Sequence, residues 1–284
     1  RLLCVVKKGK KEMKRKFIAI TVLICVLGCL CSCTQKDVTP TSAATAQQTT
    51  EAPKKTLTAD EVVALIHDKF DTEKENCRFE EISSGTSVTV YEDGTSEKEN
   101  TGKTRTAFKK ENGKISFRLD VESGSDDQPF NIIQAYQSGW AKALEYSTYG
   151  GYSGVSFEDL SAYWGAQCTI LDDYSSCEIT NDGENTVYTF SFEDSESDLE
   201  INEPDDGSVF QSKTKDSQMK KVVVLDKDNV PIYYIASGVT EGTYGGKKQT
   251  TTYSTRFDWS FENVEIDFSD LSDYLYLATG EKKQ

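Results

Sequence analysis

Beside an Asn-Gly pair, this chain alternates apolar and polar side chains with a period of two, and that pattern most constrains its fold. After Asn112-Gly113, the residues Ile115, Phe117, Leu119 and Val121 alternate with Ser116, Arg118 and Asp120. A period of two belongs to a strand, whose successive side chains point to opposite faces. Asn-Gly is the favoured type I′ hairpin pair. It sets Phe108 opposite Phe117, Thr106 opposite Leu119 and Thr104 opposite Val121. One face of this hairpin is apolar and the other polar, as in an antiparallel sheet covered on one side. Tyr253, Phe257, Trp259 and Phe261 repeat the pattern against Ser254, Arg256, Asp258 and Ser260. Tyr188, Phe190 and Phe192 repeat it after Asp182-Gly183. Further strands are expected at 86–92, 130–137, 219–225 and 231–237.

A helix precedes the strands. Thr58-Ala59-Asp60-Glu61 is a capping box, in which the Thr58 hydroxyl accepts from the Glu61 N–H and the Glu61 side chain reaches back. Leu57 and Val62 stand at the staple positions, and Val62, Val63, Ile66 and Phe70 form one apolar stripe. Short helices are expected at 156–164, with Ser156 as cap, and at 268–276. Residues 194–217 read as an insertion, and 146–154 as a Tyr/Gly-rich loop.

The chain's ends differ in charge. Of 32 Lys/Arg and 47 Asp/Glu, eight basic residues and one acid fall in residues 1–32, leaving 24 against 46 and a formal charge of −22 for the remainder. That charge repels nucleic acid and anionic lipid heads. No nucleic-acid partner is expected.

From Met13 the chain reads MKRKFIAITVLICVLGCLCSC. Lys14, Arg15 and Lys16 form a basic start, and Phe17 to Leu30 an apolar run too short for a comfortable membrane span. Residues 1–12 read as a mis-assigned upstream extension, because Lys7-Lys8-Gly9-Lys10-Lys11-Glu12 can be encoded by purines alone. Leu30-Cys31-Ser32-Cys33 resembles the bacterial lipobox, and Val26-Leu27-Gly28-Cys29 fits nearly as well. The resemblance implies a bacterial lipoprotein whose signal peptide, residues 13–32, is cut between Ser32 and Cys33. Cys33, with Cys29 as the alternative, then takes a diacylglycerol anchor from lipoprotein-processing enzymes. Two acyl chains make a stable anchor where one is marginal. Residues 34–56 are rich in Thr, Ser, Ala, Gln and Pro without apolar periodicity, the composition of a flexible tether. The expected location is the extracytoplasmic face of the cell membrane, with the membrane itself as a partner through the lipid.

The remaining unit, residues 57–284, resembles the LolA/LppX-type lipoprotein and lipoprotein-carrier superfamily. Residues 57–270 carry the resemblance by element order. Its closest local piece is Val222-Val223-Val224-Leu225-Asp226-Lys227-Asp228-Asn229-Val230-Pro231-Ile232. The implied fold is α+β, a single curved antiparallel sheet forming a half-barrel, with an N-terminal capping helix and short helices over one face. The implied ligand is a lipid or other hydrophobic molecule.

Candidate sites are few. Cys168 and Cys177 flank a turn expected at Asp172-Asp173, which makes them a non-hydrogen-bonded pair with Cα atoms about 4.5 Å apart. That spacing suits a disulfide, with Cys77 left as a buried thiol or an alternative partner. No zinc spacing is present, and neither metal nor cofactor is expected. Asp226-Lys227-Asp228-Asn229 lacks the rest of a calcium loop and reads as a turn. The single histidine, His67, sits mid-helix with no nucleophile motif beside it. No catalytic residue is assigned, and the chain reads as a non-enzyme. The densest chemistry is aromatic: Tyr136, Trp140, Tyr146, Tyr149, Tyr152, Phe157, Tyr163 and Trp164. These residues would cover an apolar cavity, stack on sugar rings, or simply pack the loop and short helix against the sheet. Three functions therefore stand open. The first is a lipid-binding half-barrel; the second is an envelope scaffold or glycan-binding module with a filled core and an exposed aromatic patch. The third is a hydrolase with converging carboxylates.

Overall fold

A computed structural model describes residues 55–125, 128–157, 170–202, 209–244 and 247–281. The proposed leader, Ser32, both lipidation candidates and almost all of the tether lie outside these residues, as do Tyr163, Trp164 and Cys168.

Helix α1 (Ala59–Lys69) forms as its residues demand. Thr58 accepts from the Glu61 N–H at 3.2 Å, Glu61 accepts from the Thr58 N–H at 2.8 Å, and Val62 and Ile66 are buried. Twelve strands follow among the described residues. They are β1 (Arg78–Tyr91), β2 (Ser96–Glu111), β3 (Lys114–Ser125), β4 (Gln128–Gln137), β5 (Ala143–Ser147) and β6 (Gly151–Val155), then β7 (Ser176–Asp182), β8 (Asn185–Ser191), β9 (Ser195–Asn202), β10 (Val209–Leu225), β11 (Pro231–Tyr244) and β12 (Lys247–Ser260). A 3-10 helix (Ser269–Tyr274) and a one-turn helix, α2 (Tyr276–Thr279), close the described chain.

All twelve strands belong to one sheet, in the order β6-β5-β4-β3-β2-β1-β12-β11-β10-β8-β7, with β9 also paired to β10. Strand β1 thus starts mid-sheet. The meander runs out to β6, resumes at the far edge with β7, and works back until β12 closes against β1. The β2–β3 hairpin has the expected register, and Asn112 and Gly113 both take positive φ, at 53° and 70°, as a type I′ turn requires. Gly85 matters for another reason: a Cβ there would stand 2.6 Å from the Ser254 carbonyl oxygen.

The expected α+β half-barrel is not what the chain forms. The protein is mostly β, with a single described α-helix longer than one turn set against twelve described strands. Its covers lie on both faces. On the inner face, Val62, Ile66 and Phe70 are fully buried among Phe79, Phe108, Phe117, Tyr188, Val223 and Tyr234. On the outer face, Leu271 and Ala278 bury Ala135 and Leu144. The reason is strand number. The residues read as an insertion (194–217) and as a loop (146–154) supply β9, half of β10, the end of β5 and most of β6, so the sheet is wider than one short helix can cover. The helix expected at 156–164 lies outside the described residues apart from Ser156 and Phe157.

Candidate functional site

The register turns the inner face into transverse rows. Phe79, Phe108, Phe117 and Tyr136 form one row across β1 to β4. The next runs Trp259, Glu81, Thr106, Leu119, Gln134 and Glu145, and the one after it Phe257, Ser83, Thr104, Val121, Ile132 and Ser147. The face therefore passes from aromatic to polar away from α1. Phe70, which follows α1, packs on Phe79, Trp259 and Phe261 with ring centroids 4.7, 5.2 and 5.4 Å away. Tyr188, Phe190, Tyr234, Phe79, Phe108 and Phe117 are at most 1% exposed. The aromatic end is closed by packing, so the apolar cavity expected of a half-barrel is filled there.

Glu81 sits at the boundary, 4% exposed, and accepts a hydrogen bond from Trp259 Nε1 at 2.8 Å. Burial pushes its carboxyl up to about 7, against the opposing pull of the Trp259 hydrogen bond. A charged carboxylate here would lack the water that normally stabilises it. Tyr234, also fully buried, is pushed well up by burial and by the Glu81 charge. Nothing in the sequence marked Glu81, because Glu80-Glu81 resembles any exposed acidic pair until the register shows which one points inward.

Two clefts open at the margins of α1. One, of about 440 Å³, is lined by Asp60, Val63, His67, Leu171, Asp172 and Tyr174. His67 Nε2 lies 2.8 Å from Asp172 Oδ1, and Tyr174 Oη donates to Asp60 at 2.6 Å. Lys221 Nζ bonds the Ile170 carbonyl, and Leu171 is fully buried. Together these contacts clasp α1 with the segment 170–174. The sole histidine is a fastening, and no Ser or Cys lines this cleft among the described residues. The other cleft, about 760 Å³, lies between the end of α1 and the β10–β11 turn, with Asp68, Lys74, Arg78 and Asp228 around Trp259 and Phe261. The Asp226–Asn229 segment is a turn, as expected, with Asp226 Oδ1 accepting from the Asp228 and Val230 N–H groups. Among the described residues no cluster suited to a metal ion occurs.

The predicted aromatics do not converge on one site. Phe157 stacks on Tyr136 on the inner side, 3.9 Å between centroids. Trp140 packs on Phe268 in the outer core. Tyr146, Tyr152 and Tyr274 form an outer-face stack, with centroids 4.6 and 3.6 Å apart. Tyr149 lies on Phe130 at 5.7 Å and is 70% exposed. Sequence reading missed Tyr274, which lies far along the chain from the other rings. Cys177 faces Phe190 across β7–β8 and keeps a thiol, as does buried Cys77. No disulfide involves a described residue. The expected pairing with Cys168, which lies outside the described residues, is not shown, and Cys177 is a free thiol.

No protein-family model matches the chain, and no curated protein matches it. Solved structures give low-scoring likenesses. The ywiB protein of Bacillus subtilis has 11% identity over 64% of this chain and 93% of that one, with a TM-score of 0.24. Neisserial surface protein A has 8% identity over 64% and 96%, at 0.22. A LolA superfamily protein of Nitrosomonas europaea has 10% identity over 74% and 96%, at 0.19. Scores this low do not establish a shared fold, and nothing about function is drawn from them.

Proposed function

We propose that this chain is a lipid-anchored module of the cell envelope that binds its ligand without chemical change. The recognition surface is the tyrosine-rich margin of the sheet at β5 and β6, and the ligand is a neutral glycan. The observation that supports this reading is Tyr149, 70% exposed on a protein whose other large aromatics are mostly spent on packing. Tyr274 adds a half-exposed ring on the outer side of the same margin. Tyrosine presents a flat apolar face with a polar tip, which suits a sugar ring bearing both C–H faces and hydroxyls. The charge of −22 beyond residue 32 disfavours polyanionic ligands.

Two measurements test this reading. Full-length protein should co-sediment with insoluble chitin, a neutral glycan, and Tyr149→Ala with Tyr274→Ala should abolish most of that binding while leaving the melting temperature nearly unchanged. Undiminished sedimentation of the variant, or a lipid co-purifying at one-to-one ratio in native mass spectrometry, counts against it. The anchor is tested apart from the ligand. The mature protein should begin at Cys33 and carry a diacylglyceryl mass that Cys33→Ser removes.

A further inference from the structure

The margins of the sheet are guarded unequally. At one end β6 has α2 against it, so close that a Cβ on Gly154 would stand 2.6 Å from the Leu277 carbonyl oxygen. Strand β9, beside β10, carries Glu196, Asp198 and Glu200, charges that discourage edge pairing. At the other end lies β7, and among the described residues no strand pairs with its far side. It has neither lysine nor proline, and its pairing with β8 runs unbroken from Ser176 to Asp182. Its middle residue, Ile179, is 41% exposed. The backbone directions follow from β8. Phe192 N–H turns to the Met219 carbonyl of β10, and the Ser191 carbonyl turns to Ser175. By alternation Ser191, Thr189 and Val187 bond toward β7, where they face Ser176, Glu178 and Thr180. Cys177, Ile179 and Asn181 therefore aim their N–H and C=O groups away from the sheet.

We propose that β7 pairs antiparallel with the β7 of a second copy of this chain, about a two-fold axis through Ile179. Ile179 then faces its own copy, and Cys177 faces Asn181 of the partner subunit. These are the outward-aimed residues, so each such pair exchanges both of its backbone hydrogen bonds. On the other face of the strand, Glu178 meets Thr180 of the partner subunit and Asp182 meets Ser176 of the partner subunit. Each carboxylate thus meets a hydroxyl. Moving the axis to Glu178 sets two carboxylates against each other, and moving it to Thr180 sets Glu178 against Asp182 of the partner subunit; like charges directly opposite are destabilising. The strand is self-complementary in one register, as an isologous contact requires. A single edge is a small contact, and two acidic copies repel each other until salt screens them. Because β6 is the opposite end of the sheet, pairing leaves both tyrosine margins open, and the inference does not depend on the glycan reading.

The test follows full-length protein in 0.5 M salt by sedimentation velocity over a concentration series. A reversible monomer–dimer equilibrium is expected, weakened at least tenfold by Ile179→Pro. That substitution removes an N–H that serves no bond within the sheet, and proline is tolerated on an edge strand; Ile179→Lys gives the same readout if the proline variant fails to fold. The register is tested by Asn181→Cys, which sets a new thiol opposite the native Cys177 of the partner subunit. Within one chain these positions are about 13 Å apart along an extended strand, too far for a disulfide. Mild oxidation should therefore give a covalent dimer that disappears when Cys177→Ser is added. A wild-type protein that stays monomeric throughout, association undiminished in the Ile179 variants, no covalent dimer from Asn181→Cys, or one that survives Cys177→Ser overturns the proposal.

Discussion

The two covers of the sheet are built on different physics. On the inner face α1 is long enough to carry its own signals: a capping box, a staple and a stripe ending in Phe70. It buries large rings, and its hold is apolar. On the outer face the C-terminal segment has only a 3-10 helix and one α turn. It buries small patches through Leu271 and Ala278 and is fastened by charge. Arg118 bonds Asp120, Asp270 and the Asp267 carbonyl at once. Hydrogen bonding to Asp270 and Asp120 drives the guanidinium further up, and Arg118 in turn holds the Asp270 carboxyl down. The helix is held mainly by the rings it buries, with the 170–174 clasp at its edge, whereas the irregular segment is held by the Arg118 pin.

The sharpest way to break this comparison is to truncate each cover. Phe70→Ala should cost about 3–5 kcal/mol, and Leu271→Ala roughly 2–3 kcal/mol, toward the low end of the Leu→Ala range because its surroundings can collapse. Urea denaturation measures both. A larger loss at Leu271 would invert the assignment of main and minor cover.

Next in size is a pH effect confined to the inner face. Glu81 has a folded value near 7 against an ordinary 4.5. The folded state therefore holds the proton more tightly than the unfolded chain does. The stability this proton confers is complete below about 4.5 and is lost as pH rises through about 7. The span corresponds to something on the order of 3 kcal/mol as an upper figure. Glu81→Gln should flatten that slope and leave the protein more stable than wild type at pH 8. An unchanged slope in the variant would show that Glu81 is not the group responsible.

The outer pin should be worth less. Arg118→Leu should cost about 1 kcal/mol, because Asp270 is 52% exposed and solvent screens the pair. Its effect should shrink in 0.5 M salt, where that of Phe70→Ala should not. Salt-independence at Arg118 would mean that its packing matters more than its charge. Thr58→Ala should cost a similar amount, about 1 kcal/mol from loss of the cap, read in the same denaturation series.

Much of the fold was legible where side chains alternate sharply. Phe108, Phe117, Leu119 and Val121 announced their strands, and the Asn112-Gly113 turn announced their register. Strand β1 was expected only at 86–92 and runs from Arg78, because its inward positions after Phe79 are Glu81, Ser83, Gly85 and Ser87. Polar residues on the buried face erase the period that marks a strand. Strands β5 and β6 were hidden by their Tyr and Gly content, and β9 by its run of Ser, Glu and Asp. Among the described aromatic residues singled out for a site, only Tyr149 stands well exposed. Which ones pack and which face solvent depends on the C-terminal segment, far away in sequence.

The sequence alone determined the local features: the capped helix, the hairpin turns, the dominance of antiparallel strands and the acidic surface. Each follows from residues a few positions apart, which set backbone preference and side-chain direction directly. Tertiary structure decided that one sheet gathers all twelve strands and that both of its faces are covered. It also decided that Glu81 is buried while Glu80 is not, that His67 is a clasp, and that Gln134 is buried against Glu145. These depend on which strands lie side by side, and non-local pairing balances burial over the whole chain, so no short stretch of residues encodes it.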